Sequence, residues 1–293
     1  MKKKIALLLT LALTASVFAG CGNSDSSNSN KGDSADNSSK GVKLIDINLT
    51  EEEYAFGVDK QQPELLESVN SFIAEIKEDG TFDEICNKYF GDGTPTAVTS
   101  ATFDESKDQL VVATNAAFEP FEYTQGEEYY GIDMEIADAL AKKLGKELVI
   151  QNMDFDAVCL SVGQQKCDIA MAGLTIKEDR KEYVNFSAPY YNAAQKIIVP
   201  AGNTEFDACS DAASIEAILK EKDASVKVGV QNGTTGQFYC EGDADWGFDG
   251  FKMETIGYKN GSLAVQDLVN GNISYVVIDS APATCISNAI NKL

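Results

Sequence analysis

From Gln109 onward the chain repeats one pattern, and that pattern limits what it can fold into. Short apolar runs alternate with longer stretches whose apolar residues recur at three- and four-residue spacing. The short runs read as buried strands and the longer ones as amphipathic helices. Strands are expected at Leu110–Thr114, Glu147–Asn152, Asp168–Ala172 and Lys196–Val199, with helices at Asp133–Leu144 and Phe155–Gln164. A helix over Ser214–Lys222 starts a second round. Strands follow at Val226–Val230, Lys252–Ile256 and Ser274–Ile278, with helices after Gly233–Gly236, over Leu263–Asn270 and over Ala281–Asn291. Such alternation predicts an α/β fold with two mostly parallel, doubly wound sheets covered by helices on both faces.

The stretch ahead of this alternation is different. Val42–Ile47 and Tyr54–Val58 read as strands. Pro63 opens a helix to about Asp79, with Leu65, Leu66, Val69, Phe72, Ile73 and Ile76 on one face. A shorter helix, Thr81–Phe90, ends at Gly91, and residues 92–108 are polar, without a period, and read as a linker.

Ligands of such sheets bind beyond the carboxyl ends of the strands. Several polar or special residues fall there: Asn115 and Phe118 after one strand, Gly173 and Thr175 after another, Thr234 and Thr235 after a third, and Asp279 after a fourth. Singly, each reads as a turn or cap residue. Their common placement makes them candidates for one site.

Arg180 is the only arginine; every other basic residue is lysine. A guanidinium presents a planar fork that grips a carboxylate through two parallel hydrogen bonds, which an ammonium cannot do. Thr175 and Glu178 have the spacing of a capping box, so a helix is expected from Ile176, with Arg180 in its first turns. Two readings stand on spacing alone: a carboxylate clamp, or a surface arginine paired with Glu178 or Asp179.

Composition removes whole classes of function. The 293 residues carry 24 Lys+Arg against 46 Asp+Glu, a net charge of −22 that argues against nucleic-acid binding. No histidine is present, which excludes His-based triads, His metal sites and imidazole proton shuttles. No cofactor or metal is expected. Asp243, Asp245, Asp249 and Glu254 resemble part of a calcium loop, but Gly247 and Phe248 occupy positions where ligands or the sharp turn belong, so a solvated acidic loop is expected.

Residues 1–20 read as a targeting segment: Lys2–Lys4, the apolar run Ile5–Val17, then Phe18-Ala-Gly-Cys21. The ending looks like a bacterial lipobox with Cys21 lipidated, although Phe18 stands where leucine is usual; an ordinary secretory signal is the alternative. Residues 21–40 read as a disordered tether rich in Ser, Asn, Asp and Gly. The apolar run is too short to span a membrane. Cys86, Cys159, Cys167, Cys209, Cys240 and Cys285 have wide, irregular spacings, so free thiols and disulfides both remain open.

Taken together, the motifs resemble the polar amino-acid substrate-binding proteins of bacterial ABC importers, with the periplasmic-binding-protein type II fold. They are Ala113-Thr-Asn-Ala-Ala-Phe-Glu-Pro-Phe121, Tyr130-Gly-Ile-Asp133, Met153-Asp-Phe-Asp156, Ala172-Gly-Leu-Thr175 with Arg180, Asn185-Phe-Ser-Ala-Pro-Tyr-Tyr191, Val228–Gly236 and Val277-Ile-Asp279. The resemblance covers roughly residues 42–293. It implies two lobes on a hinge that close on one free L-amino acid. Arg180 would hold the α-carboxylate with backbone N–H groups at Thr175 and Thr235. Asp279 would take the α-ammonium with the Gly173 carbonyl and the Thr175 hydroxyl, and Phe118 and Phe155 would sandwich the side chain. Asn115 stands where basic-amino-acid binders of the family carry an acid, so an uncharged polar ligand such as glutamine or cystine is expected, with Gln231 adding a second amide.

The motif order departs from the family. The strand, long helix and short helix that normally close the chain here come first, which implies a circular permutation with residues 92–108 joining the old ends. The alternative is a partial duplicate fused ahead of a truncated copy. Under permutation, residues 41–51 and 196–293 form lobe 2 and residues 52–91 and 109–195 form lobe 1. The resemblance further implies a monomer outside the cell, lipid-anchored to the cytoplasmic membrane, whose partners are permease subunits. Two rivals remain: a dehydratase-like enzyme on the same fold, and a sensor component presenting its ligand to a receptor. No carboxylate beyond those needed to hold an amino acid is evident for the first, and no downstream span or signalling domain for a fused form of the second.

Overall fold

The computed structural model of the chain describes residues 41–292. The expected targeting segment, the tether and Cys21 lie outside the described residues. The front of the chain forms β1 (Val42–Ile45), β2 (Glu52–Tyr54), β3 (Gly57–Asp59), α1 (Pro63–Glu78) and α2 (Thr81–Phe90). After the linker come β4 (Gln109–Thr114), β5 (Ala117–Phe118), β6 (Glu122–Gln125), β7 (Glu128–Tyr130), α3 (Ile132–Leu144), β8 (Glu147–Asn152), α4 (Phe155–Gly163) and β9 (Ile169–Ala170). A 3₁₀ turn (Arg180–Glu182) precedes β10 (Val184–Phe186), β11 (Tyr191–Ala193), β12 (Gln195–Pro200) and α5 (Ala212–Lys220). The last elements are β13 (Lys227–Gln231), α6 (Thr235–Glu241), β14 (Glu254–Tyr258), α7 (Gly261–Val269), β15 (Tyr275–Asp279) and α8 (Ser280–Asn291).

Two five-stranded sheets share one plan. Their orders are β10-β3-β9-β4-β8 and β1-β12-β15-β13-β14. In the first, β8, β4 and β9 run parallel, and β3 runs against both β9 and β10. In the second, β14, β13 and β15 run parallel, and β12 runs against both β15 and β1. Each sheet is therefore mostly parallel with one reversed strand, as the alternation implied. The strands are apolar on both faces because helices cover both. Val276 and Ile278 face the side of α7 and α8, while Tyr275 and Val277 face the side of Ile215, Leu219 and Tyr239. Leu110 and Val112 face α1 and α3, while Val111 and Ala113 face Val158 and Val162 of α4.

The chain crosses between the sheets twice, through β2 and β11, which pair antiparallel with Tyr54 opposite Tyr191 and Glu52 opposite Ala193. These crossings explain one departure from expectation. Tyr54–Val58 forms two short strands rather than one, because Glu52–Tyr54 belongs to the crossing ribbon and Gly57–Asp59 to the first sheet. A second departure is a three-stranded sheet of β5, β6 and β7, strands absent from those expected. Its strands are too short to show a period.

A third departure concerns Arg180. No α-helix starts at Ile176. Thr175 instead bridges to Tyr54 across the ribbon, and its hydroxyl donates to Glu52 at 2.8 Å. A buried tertiary acceptor displaces the local capping box, leaving only the single turn at Arg180–Glu182.

Near the two ends of the described chain, the Asn291 amide donates to the Val42 carbonyl and accepts from its N–H, both at 2.9 Å. Residues 92–108 lie along the first sheet. Val98 exchanges backbone hydrogen bonds with Tyr129, and Ala101 N–H donates to the Leu148 carbonyl at 2.8 Å. All six described cysteines are free.

Candidate functional site

The carboxyl ends of β4 and β9 in one sheet meet those of β13 and β15 in the other, and every residue singled out there comes into one cluster. Asn115, Phe118, Thr175, Arg180, Gln231, Thr234, Thr235 and Asp279 are buried, and Phe155 is half-buried. Contacts bridge the two sheets. The Gln231 amide donates to Asn115 Oδ1 at 3.1 Å, and the Thr235 hydroxyl donates to Thr175 Oγ1 at 3.3 Å. The Thr234 hydroxyl turns back to the Gln231 carbonyl at 2.8 Å, bracing the turn into α6.

Arg180 forms one pole. Its Nη1 donates to the Thr175 carbonyl at 2.6 Å and its Nη2 to the Gly233 carbonyl at 2.9 Å, across the sheets. Its guanidinium carbon lies 5.3 Å from the Phe155 ring centre, in cation–π range. Arg180 is 9% exposed, and neither Glu178 nor Asp179 pairs with it. The surface reading therefore fails. Two of its five N–H groups have these carbonyls, which leaves donors for an anion.

Asp279 forms the other pole. Tyr54 donates to its Oδ1. Burial, then the neighbouring Glu52 charge, push its carboxyl up to about 7. Glu52 accepts from Thr50 at 2.6 Å, from Thr175 at 2.8 Å and from the Gln195 amide at 3.0 Å. A cavity of about 850 Å³ adjoins this pole, lined by Thr50, Glu52, Thr175, Ala194, Trp246 and Ser280.

Gly173 connects the poles to the core. It adopts φ +53°, and a Cβ there would lie 2.9 Å from the Phe118 ring. Its N–H donates to Asp133 Oδ2 at 2.9 Å, and Tyr190 donates to Asp133 Oδ1 at 2.6 Å. Burial raises Asp133 to about 7, with these two hydrogen bonds opposing the rise. Glu122, beside both Asp133 and Asp279, is wholly buried without a hydrogen-bond partner among the described residues; burial drives its carboxyl well above the usual range.

Sequence reasoning missed Glu52, Tyr54 and Gln195 as site residues. They sit on or beside the crossing strands, and only their place next to Asp279 in three dimensions reveals them. It also misread Asp243. Lys177, 6% exposed, reaches Asp243 across the sheets at 3.0 Å as well as Asp179 at 2.8 Å, and lies 4.4 Å over the Phe238 ring. Part of the expected solvated acidic loop is thus a cross-cleft ion pair.

Two α/β lobes joined by a double crossing thus bring a buried arginine and a buried aspartate to their facing strand ends. The chain belongs to the bacterial extracellular solute-binding proteins, family 3, whose model matches residues 5–92 and 110–278. Among curated relatives, the arginine-binding extracellular protein ArtP of Bacillus subtilis is 38% identical over 95 residues, covering 32% of this chain and 37% of its own length. The probable histidine-binding protein of Neisseria gonorrhoeae is 32% identical, covering 58% of each chain. The chain thus spans less than two thirds of these two relatives. ABC transporter arginine-binding protein 1 of Escherichia coli is 30% identical, covering 63% of this chain and 69% of its own.

Among solved structures, an ancestral arginine-binding protein bound to arginine matches with TM-score 0.51 and 33% identity, covering 62% of this chain and 75% of its own. The ancestral amino acid-binding protein AncCDT-1, a precursor of cyclohexadienyl dehydratase, matches with TM-score 0.53 and 28% identity, covering 72% and 79%. These relatives are described as binding proteins, not as enzymes.

Proposed function

We propose that this protein captures one free L-amino acid between its lobes outside the cell and delivers it to an ABC importer without chemical change. The observation that carries this reading is the pair of opposed poles. Arg180 keeps free donors for an α-carboxylate, and Asp279 lies in the other sheet as acceptor for an α-ammonium. A zwitterion touching both gains more in the closed form than in the open one, and only that difference drives closure. Phe118 and Phe155 flank the side chain. Its far end meets the Asn115 and Gln231 amides, which supports an uncharged polar ligand such as glutamine. The names of the relatives favour arginine or histidine instead. Among the described residues, Asn115 brings no carboxylate to that end.

We further read Cys21 as the lipid anchor, residues 21–40 as the tether and the working form as a monomer. The lobe boundaries follow the permuted order given above. The family match in two pieces flanking residues 93–109, and the Asn291–Val42 hydrogen bonds near the ends of the described chain, support the permutation.

A thermal-shift panel of amino acids tests the reading. Ligand at ~100 times Kd adds about 2.7 kcal/mol, roughly 5–10 °C for a chain of this size. Glutamine or another uncharged polar amino acid is expected to give the largest shift. A larger shift with arginine or histidine would reassign the specificity, and no shift with any amino acid would remove the function.

A further inference from the structure

The ammonium pole holds one more carboxylate than an α-ammonium requires. Glu52 comes from the crossing strand β2, is 6% exposed, and is held by three donors from three segments: the Thr50 and Thr175 hydroxyls and the Gln195 amide. Its effect on Thr175 is specific. The Thr175 hydroxyl has one proton, and that proton goes to Glu52. Its oxygen therefore faces the cleft as an acceptor only, and receives the Thr235 hydroxyl from the other lobe. Gln195 is similarly oriented: its amide N–H₂ points to Glu52, leaving its Oε1 buried without a donor among the described residues.

We propose that Glu52 is a positioning residue of the ammonium pole: it orients Thr175 and Gln195 and, as a negative neighbour of Asp279, makes release of the Asp279 proton part of ligand binding. This rests on the amino-acid-binding reading above. The charged and titratable groups facing the pair are Tyr54 on β2, Glu122 on β6 and Tyr191 on β11. All three are acids, and among the described residues no lysine or arginine is hydrogen-bonded to either carboxylate. Burial and the Glu52 charge disfavour ionisation of Asp279, and the arriving ammonium supplies the missing cation. The rise of Asp279 towards neutrality, with the Glu52 charge as its second cause, agrees. The proton leaves to solvent and the ammonium takes its place, so charge balances. An acidic surrounding favours release of cargo.

The test compares wild type with Glu52→Gln in calorimetric titrations with L-glutamine from pH 5 to 8.5, in two buffers of different ionisation enthalpy. Wild-type affinity is expected to rise about tenfold per pH unit up to about 7 and then level off, with close to one proton released per ligand at pH 6. Glu52→Gln is expected to bind still, to level off at least one pH unit lower, and to release fewer protons at pH 6. An unchanged profile would overturn the proposal. So would loss of binding at every pH in a folded variant, which would make Glu52 a direct ligand contact.

A ligand-free arm separates this claim from the proposed function. The wild-type melting temperature should fall from pH 5 to 8, and fall less in Glu52→Gln; equal slopes would overturn the coupling even if glutamine binds neither protein. Should Glu52→Gln not fold, Glu52→Asp keeps the charge but withdraws it from Thr175. It should keep the wild-type pH midpoint and weaken glutamine binding about tenfold, and wild-type affinity there would contradict the positioning role.

Discussion

The two poles of the cleft are both buried and both charged, yet they are built differently. Arg180 is solvated by protein: two backbone carbonyls and an aromatic face replace water around its guanidinium. Asp279 lies beside two more acids, Glu52 and Glu122, and is pushed up to about 7. One pole is ready for its partner in advance. The other is held in an unfavourable state that a ligand relieves. The charge of the Asp279 pole thus depends on pH.

Replacing each pole in turn should expose that difference. The largest effect is expected for Asp279→Asn, which removes the acceptor charge for the ammonium. Affinity should drop by a factor on the order of 100–1,000, as when one partner of a buried charge pair is removed. Stability without ligand should move the other way. The folded carboxyl sits at about 7 against an ordinary value of 3.8, so the folded state binds the extra proton between these pH values and stability declines as pH rises through them. At pH 8 the ionised Asp279 costs on the order of 4 kcal/mol, so Asp279→Asn should melt higher there and nearly as wild type at pH 4. A variant that melts lower at pH 8 would show that Asp279 is not strained.

Arg180→Lys comes next. It keeps the charge but loses the fork and both carbonyl contacts, and glutamine binding should weaken about 10–100-fold with the pH midpoint unchanged. A shifted midpoint would mean that the poles titrate together. Gly173→Ala should follow, because an added methyl meets the Phe118 ring at 2.9 Å in a backbone region that disfavours side chains. Its cost in apo stability is about 1–3 kcal/mol, read by denaturant midpoint. The smallest effect is expected for Lys177→Met, which breaks the ion pair to Asp243 across the cleft. Dissociation of glutamine, followed by stopped flow, should quicken several-fold, and the rate should lose its salt dependence.

The fold and the site differed in how much the sequence revealed. Strands such as Val226–Val230 and helices such as Pro63–Glu78 announced themselves, because burial on one or two faces imposes a period on the residues. The strand-end residues Asn115, Thr175, Thr235 and Asp279 were legible for a related reason, since parallel strands carry ligands at their carboxyl ends. What escaped notice depends on contacts between distant segments. Thr175 had the spacing of a cap, but Glu52, 123 residues away, holds its proton. Tyr54 looked like part of one strand until the crossing ribbon divided it from Gly57. Asp243 looked solvated until Lys177 reached it from the other lobe. No local pattern encodes these pairings.

If one zwitterion bridges Arg180 and Asp279, removing either ligand charge must cost binding. Thermal shift at pH 8 should compare L-glutamine with its analogue lacking the α-amino group and its analogue lacking the α-carboxylate. A bridging zwitterion should give a shift of about 5–10 °C at ~100 times Kd, and either analogue almost none at the same concentration. An analogue missing either charge that shifts the protein as far as glutamine does would contradict the bridge.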